Sequence, residues 1–157
     1  MIYYSYYESP VGLLRLESDG VNLTGLYFSA DENMQCTDLD IFSSVKAWLD
    51  AYFAGNDFLP DFPLALHGTL FQIQVWEILK IIPYGETMTY GHIAREMAIR
   101  TGKQRMSSQA VGQAVRRNPV SIIVPCHRVV GSDGRLTGYA GGLNKKEKLL
   151  RHEGWLK

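Results

Sequence analysis

The hydrophobic period of this chain changes after its first strands, and that change limits what it can fold into. Up to Phe28 the apolar residues fall in short runs separated by turn residues. Ile2-Tyr3-Tyr4-Ser5-Tyr6-Tyr7 is dense in aromatics, and Pro10-Val11-Gly12 makes a turn. Leu13 to Glu17 begins to alternate, Ser18-Asp19-Gly20 makes a second turn, and Val21 to Phe28 reads as a third strand. Beyond a polar stretch at 29–38 the spacing becomes helical, with Ile41, Phe42, Val45, Trp48, Leu49, Tyr52 and Phe53 on one face and Gly55 suited to end it. Strands followed by helices predict an α+β fold that begins with a small antiparallel meander.

Residues 56–66, with Pro60 and Pro63, read as a linker. They divide the chain into an expected N-terminal domain, 1–66, and a C-terminal domain, 67–157. The second half reads as helical. Thr69 can cap a helix through Phe71, Val75, Trp76, Leu79 and Ile82, which Pro83 stops. Thr89 opens a helix with Ile93, Ala94 and Met97 inward, ending near Thr101-Gly102. Ser107 or Ser108 opens another, through Val111, Ala114 and Val115 to Asn118-Pro119. Two short helices joined through a glycine fit a helix-turn-helix with a long turn. Residues 121–130 read as extended, 131–142 as a glycine-rich loop, and Asn144 as the cap of a last helix ending near His152.

An apolar content of 46% over 157 residues excludes disorder and supports a buried core without staples. No apolar run approaches a membrane span, and Met1 to Pro10 lacks the basic start and apolar stretch of a signal peptide. Two cysteines without an export signal point to the cytoplasm, where thiols stay reduced. The net charge of zero hides a split. Residues 1–66 carry two basic and ten acidic side chains, while 67–157 carry 14 basic and six acidic. The basic half is the candidate for a polyanionic partner.

That charge is concentrated. Arg95, Arg100, Lys103, Arg105, Arg116 and Arg117 stand against one acid, Glu96, and phosphate neutralisation is the physical reason a DNA binder needs such a cluster. On the second helix of the pair, Gln109, Gln113, Arg116 and Arg117 share a polar face at i, i+4, i+7 and i+8. Ser107, Ser108, Ala110, Gly112 and Ala114 are small and let a backbone approach a groove closely.

The densest chemistry lies in Val124-Pro125-Cys126-His127-Arg128-Val129-Val130. A cysteine beside histidine and arginine has two cations that would favour its thiolate, the nucleophilic form. The plain alternative is a small buried hydrophobe. On a strand, Cys126 and His127 would point to opposite faces, so they cooperate only if the backbone turns there or a water bridges them. A carboxylate is needed to orient His127, and Asp133, Glu147 and Glu153 are in sequence reach. Zinc is the rival use of such residues, but there is no C-x-x-C and no H-x-x-x-H, so no metal is expected. Cys36, in the polar loop, reads as inert.

Val124-Pro125-Cys126-His127-Arg128-Val129-Val130, with Gly138-Tyr139-Ala140-Gly141-Gly142 and Leu149-Leu150-Arg151-His152-Glu153-Gly154, closely resembles the O6-alkylguanine-DNA alkyltransferases. Pro83-Tyr84-Gly85-Glu86-Thr87-Met88-Thr89-Tyr90, Ala110-Val111-Gly112 and Asn118-Pro119 extend the match over 69–155 in the right order. The resemblance implies a ribonuclease H-like sheet with a helix, then a mostly helical, winged-helix-like helix-turn-helix domain. It implies DNA repair by a single-turnover transfer of an alkyl group from O6-alkylguanine in duplex DNA to Cys126, without cofactor. A monomer with no obligate protein partner is expected because no strongly apolar exposed stripe stands out, and no membrane is expected because no apolar run is long enough to span one. His127 would take the cysteine proton through a water, Glu153 would hold His127, and Asn118 would brace the turn. Tyr90 would sit near the flipped base and Tyr139 would wall the pocket. Backbone groups of Cys126, Val129, Ala140 and Gly141 would face the guanine. Gln109, Ala110, Gln113, Arg116 and Arg128 would belong to the DNA and base contacts. The family usually places an arginine just before Ala-Val-Gly, to fill the gap left by the flipped base. Here that residue is Gln109, so flipping is expected to survive in weaker form with help from Arg105.

The alternative is a non-catalytic lesion-binding protein of the alkyltransferase-like kind. Those proteins put another residue, commonly tryptophan, at the cysteine position, so Cys126 argues against it. A DNA-binding regulator would not need the Cys-His pair, and a cysteine hydrolase would turn over repeatedly and ignore DNA.

Overall fold

The computed structural model describes every residue except Ala140. The described residues fall into two compact units, one formed by Met1–His67 with Pro119–Ser121, the other by Gly68–Asn118 with Ile122–Lys157. The fold is α+β.

In the first unit, β1 (Tyr3–Ser9), β2 (Gly12–Ser18) and β3 (Leu23–Phe28) form an antiparallel sheet in the order β1-β2-β3. Pairing of Ser9 with Gly12 leaves Pro10 and Val11 as the hairpin turn. The second turn runs further than Gly20, because Asp19 Oδ1 accepts from the backbone N–H of Val21 and Asn22, and β3 starts at Leu23 rather than Val21. Leu14 and Leu16 of β2 and Leu23 and Leu26 of β3 are fully buried. Helix α1 (Asp40–Phe53) buries Ile41, Phe42, Val45, Leu49 and Tyr52, one stripe of its surface.

The expected linker is in part structural. Leu23 N–H donates to the Pro63 carbonyl at 2.9 Å and Ala65 N–H to the Leu23 carbonyl at 3.0 Å, with Phe62 buried. Leu26 likewise exchanges bonds with Pro119 and Ser121, at 2.9 and 3.0 Å. Both segments cover the outer edge of β3, which would otherwise present unpaired backbone groups.

The second unit holds α2 (Leu70–Leu79), β4 (Met88–Thr89), α3 (Tyr90–Thr101), α4 (Ser108–Arg116), β5 (Val129–Val130) and α5 (Leu143–His152). Thr69 closes a capping box with Gln72, Thr89 Oγ1 accepts from His92 N–H, and Ser107 Oγ accepts from Ala110 N–H, so each helix begins where a hydroxyl satisfies an orphan donor. The Trp76 indole donates to the Ala114 carbonyl at 2.9 Å inside the core that α2 shares with α4. α3 and α4, joined by Gly102 to Ser107, are the helix-turn-helix pair.

Two expectations are corrected. Residues 121–130 are not an extended run. They form a turn at 121–124, a 3₁₀ turn at Cys126–Arg128, and only the two residues of β5, parallel to β4. Their apolar composition reflects full burial, not strand geometry. Asn144 does not cap α5, which begins at Leu143 after Gly142, at φ 96°, with no side-chain cap. No helix among the described residues is long and apolar enough to cross a membrane.

Candidate active site

The site is built where the chain leaves α4. Asn118 is buried, and its Nδ2 donates to the Val124 carbonyl at 2.7 Å, closing the intervening turn. Within that turn Ile122 sits at φ 72°. A β-branched residue there stores strain of about 1–3 kcal/mol and persists only where its surroundings hold it. Ile122 is 1% exposed, so its side chain is anchored in the core. Pro125 follows, and Cys126 N–H bonds back to the Val124 carbonyl at 2.8 Å, Arg128 N–H to the Pro125 carbonyl at 3.0 Å. In the resulting 3₁₀ turn successive side chains diverge by about 120° rather than 180°. The backbone turn that a Cys126–His127 partnership requires is therefore present.

His127 is fully buried, and its Nε2 lies 2.6 Å from Glu153 Oε2. Of the three carboxylates in sequence reach, this is the one brought to it. Asp133 pairs with Arg135, and Glu147 with Arg151, both exposed. Glu153 also receives Arg128, whose Nε and Nη2 reach Oε1 and Oε2 at 2.8 and 3.0 Å. Arg128 Nη1 donates to the Ile82 carbonyl at 2.7 Å, and the guanidinium lies 5.7 Å from the Tyr84 ring centre. Glu153 is placed by the end of α5, where Gly154, at φ 85°, takes the left-handed conformation that stops the helix.

These contacts set the protonation states. Burial works against the Glu153 carboxylate, but His127 and Arg128 hold it well below the usual carboxylate range. Burial lowers His127, outweighing the pull of Glu153 in the other direction. A neutral imidazole donating Nε2–H to an ionised Glu153 leaves Nδ1 as an acceptor. Nδ1 is buried and makes no hydrogen bond among the described residues.

The Cys126 thiol is 3% exposed. Burial pushes it up, while hydrogen bonding from Asn118, the charge of Lys146 and hydrogen bonding from Tyr139 pull it down. The cation that favours the thiolate is therefore not the one expected from its neighbours in sequence. Arg128 is committed to Glu153, and the charge comes from Lys146 on α5, which is fully buried. Lys146 escapes the sequence reading because lysine is read as solvated. The signal was there, since Lys146, Leu149, Leu150 and Glu153 recur at i, i+3, i+4 and i+7 on one helix face.

Comparison with known proteins gives this geometry its context. Residues 70–155 match the family described as 6-O-methylguanine DNA methyltransferase, DNA binding domain, and residues 2–66 match its ribonuclease-like domain. The chain belongs to the 6-O-methylguanine DNA methyltransferase family. A methylated-DNA–protein-cysteine methyltransferase of Methanosarcina acetivorans is 45% identical, with 98% of this chain and 99% of the relative aligned. The crystal structure of the Mycobacterium tuberculosis O6-methylguanine methyltransferase superposes with a TM-score of 0.81 at 43% identity, covering 98% of this chain and 93% of that one. The same M. tuberculosis protein in complex with DNA gives 0.82 at 43% identity over 96% and 92%.

The other residues that the family pattern singles out are dispersed around this centre. Tyr90, at the start of α3, is half-buried and points its hydroxyl at the Thr137 and Gly138 carbonyls, at 3.3 and 3.5 Å. Burial raises its phenol above the ordinary value. Tyr139 and Val129 are buried and Gly141 is half-buried, while Ala140 lies outside the described residues. On α4, Gln109, Gln113, Arg116 and Arg117 are exposed, opposite the buried Val111, Ala114 and Val115, and Ala110 is half-buried between them. Arg116 crosses Gly138, where a Cβ would meet its guanidinium at 3.1 Å. Arg95 and Arg105 line a cleft of about 310 Å³ together with Gly91, Ala94 and Ala98. Arg128 departs from its expected place among the DNA contacts, because all three of its guanidinium nitrogens are engaged inside the protein. Among the described residues no three His, Cys, Asp or Glu side chains gather as metal ligands.

Removing one member of a buried ion pair leaves the other uncompensated. Arg128→Met is expected to lower stability by about 3–5 kcal/mol in denaturant unfolding while leaving the salt dependence of DNA binding unchanged. A surface arginine would give the reverse pattern. Glu153 is held low only in the folded chain, so its stabilisation is complete above its ordinary value near 4.5 and is lost as pH falls below it. Thermal melts from pH 7 down to pH 3 are expected to fall steeply below about pH 4.5 for the native chain, and less steeply for Glu153→Gln.

Proposed function

We propose that this protein repairs duplex DNA by moving an alkyl group, methyl above all, from O6 of guanine to the sulfur of Cys126, once per molecule. The observation that carries this reading is the buried run from Cys126 through His127 to Glu153, with His127 Nδ1 left as an open acceptor. Arg116 and Arg117 supply cations on an exposed face of the same unit. The work is assigned to residues 67–157, with 1–66 as an acidic companion domain. In this reading the chain acts alone, as a monomer, in the cytoplasm, where a free thiol stays reduced.

The lesion carbon cannot be attacked while its base is stacked, so the base must leave the duplex, at a cost of a few kcal/mol. Phosphate contacts from the Arg95–Arg117 cluster supply binding free energy, and the small residues of α4 let its backbone approach the groove. Gln109 enters the gap in the stack. In the pocket, the Cys126 proton passes through one water to His127 Nδ1, and Glu153 stabilises the imidazolium that forms. The sulfur attacks the alkyl carbon in line as the carbon–oxygen bond breaks. Its electron pair leaves on guanine, and the neutral Tyr90 phenol is a donor for that charge. The product is a thioether, which no group in the site can cleave, so the protein is consumed.

Intact-protein mass spectrometry after mixing with duplex DNA holding one O6-methylguanine should give a gain of one methyl group, mapped to Cys126 and never exceeding stoichiometry. Cys126→Ala should bind the same duplex and gain nothing. Tight binding without any gain by the native chain would move the reading to a lesion sensor. Gln109→Arg replaces a neutral hydrogen bond with a charge-assisted one, worth roughly 1 kcal/mol more. It should tighten binding to the lesion duplex by about fivefold in a titration, and an unchanged affinity and rate would remove Gln109 from base flipping.

A further inference from the structure

α5 carries lysines at 145, 146 and 148, and Lys146 alone has no exposed surface. Two effects work against a cation there. Lysine is almost never fully buried unless paired. The N-terminal end of a helix is also the positive end of its dipole, where a cation is unfavourable. The first turn of α5 holds no acid, and no carboxylate pairs with Lys146 among the described residues. What Lys146 has is one short bond. Its Nζ donates to the Thr137 carbonyl at 2.7 Å, a charge-assisted contact at the short end of the N–H···O range. The ammonium lies 5.9 Å from the centre of the Tyr90 ring. Thr137 and Gly138 lead directly into the buried Tyr139, so this bond ties the backbone that carries Tyr139 to α5.

A second donor reaches the same carbonyl on weaker terms. The Tyr90 hydroxyl stands 3.3 Å from the Thr137 carbonyl and 3.5 Å from that of Gly138. A good O–H···O bond is about 2.7–2.8 Å long. A phenol also has a single proton to donate, so Tyr90 divides one long bond between two acceptors. The inequality has a consequence for the transfer. In the repair reading Tyr90 donates to the guanine as the carbon–oxygen bond breaks, and it cannot do that while its proton stays on the loop. When Tyr90 turns to the base, Lys146 is the donor that remains on Thr137.

We propose that Lys146 is a positioning residue that anchors the Tyr139 loop to α5 through the Thr137 carbonyl, so that Tyr90 can move its hydrogen bond from the loop to the extruded base while Tyr139 keeps its place. The inference rests on the alkyl-transfer reading for the exchange made by Tyr90, whereas the anchor itself is measured without DNA. No covalent bond changes in this step, and Lys146 neither gains nor loses a proton. One hydrogen bond changes acceptor, and the shorter one stays. A methionine of similar length would fill the same buried space without the two costs of a cation, so the donor is the property that the position uses.

The test is backbone hydrogen exchange over 136–142 in the full chain without DNA, a segment that includes the Gly142 N–H bonded to the Tyr139 carbonyl at 2.9 Å. Exchange should speed up about tenfold or more in Lys146→Met, as expected for one lost charge-assisted hydrogen bond. It should stay within about twofold of native in Tyr90→Phe and return toward native in Lys146→Arg, which keeps a charged donor. Exchange in α2 should not change, which separates a loosened loop from a weakened fold. Single-turnover methyl transfer then divides the two roles. Lys146→Met should raise the lesion-duplex concentration for half-maximal rate about tenfold with the maximal rate within about threefold, whereas Tyr90→Phe should lower the maximal rate. Unchanged loop exchange in a folded Lys146→Met, or equal loosening in Tyr90→Phe, would overturn the proposal. A loop that loosens in Lys146→Met while the native chain takes no methyl group from DNA would overturn the repair reading and leave the anchor standing. Should Lys146→Met fail to fold, NMR of the otherwise native chain decides. A coupling across the hydrogen bond, from the ¹⁵N-labelled Lys146 ammonium to the ¹³C-labelled Thr137 carbonyl, should be present in the free protein. It should persist when Cys126→Ala holds the O6-methylguanine duplex, and its absence in either state sinks the anchor.

Discussion

The buried carboxylate of Glu153 is the interaction on which the rest of the site depends. It accepts from His127 on one side and from Arg128 through two nitrogens on the other, with the Gly85 N–H at 3.4 Å as a fourth, weaker contact. Three ionisable groups are thereby taken out of water together, which is tolerable only because each polar atom of the carboxylate is used. The arrangement has a geometric result as well as an electrostatic one. With Nε2 fixed on Glu153, the tautomer and plane of the imidazole are set, and Nδ1 is left to face outward from the pair. Arg128 stabilises the carboxylate in its ionised form, and through the Ile82 carbonyl it fixes that carboxylate to the turn that follows α2. A histidine oriented by a freely hydrated glutamate would have neither constraint.

Much of this was legible in the residues. The caps Thr69, Thr89 and Ser107 and the stripe of α1 follow local rules that burial does not override, so those helices begin where the hydroxyls predict. The run Ile122-Ile123-Val124 misleads for a physical reason. β-branched residues fit a pleated, half-buried surface, and a turn that is completely buried selects the same composition. What distinguishes the two is the bond from Asn118 to the Val124 carbonyl and the left-handed Ile122, and both are set by tertiary closure. Arg128 and Lys146 mislead in a parallel way. Charged residues are read as solvated, and their burial depends on partners far along the chain, Glu153 for one and Thr137 for the other.

Asn118 connects two parts of the molecule that carry different tasks. It follows α4 directly, so its position is set by the same helix whose exposed face holds Gln109, Gln113 and Arg116. Its amide is bonded to Val124 and contributes to the environment of the Cys126 sulfur. The strained Ile122 between them means that the turn has little freedom to accommodate movement elsewhere. α4 and the cysteine are therefore joined by a short covalent path and one hydrogen bond.

Burial of Cys126 at first looks like the wrong choice for a nucleophile, since it raises the thiol. The same burial removes the hydration shell that would blunt the thiolate, and it keeps the sulfur from electrophiles that cannot be shaped to the pocket. For a protein consumed by its own reaction, the second property is worth more than speed. A thiol spent on the wrong partner is lost for good, whereas a slow transfer to the right one still succeeds. The fixed polar partners around Cys126 work against that rise without exposing the sulfur. Asn118 contributes hydrogen bonding, and Lys146 contributes charge from a residue that cannot itself reach solvent. Selectivity and activation come from the same enclosed geometry, and relaxing the enclosure to gain one would forfeit the other.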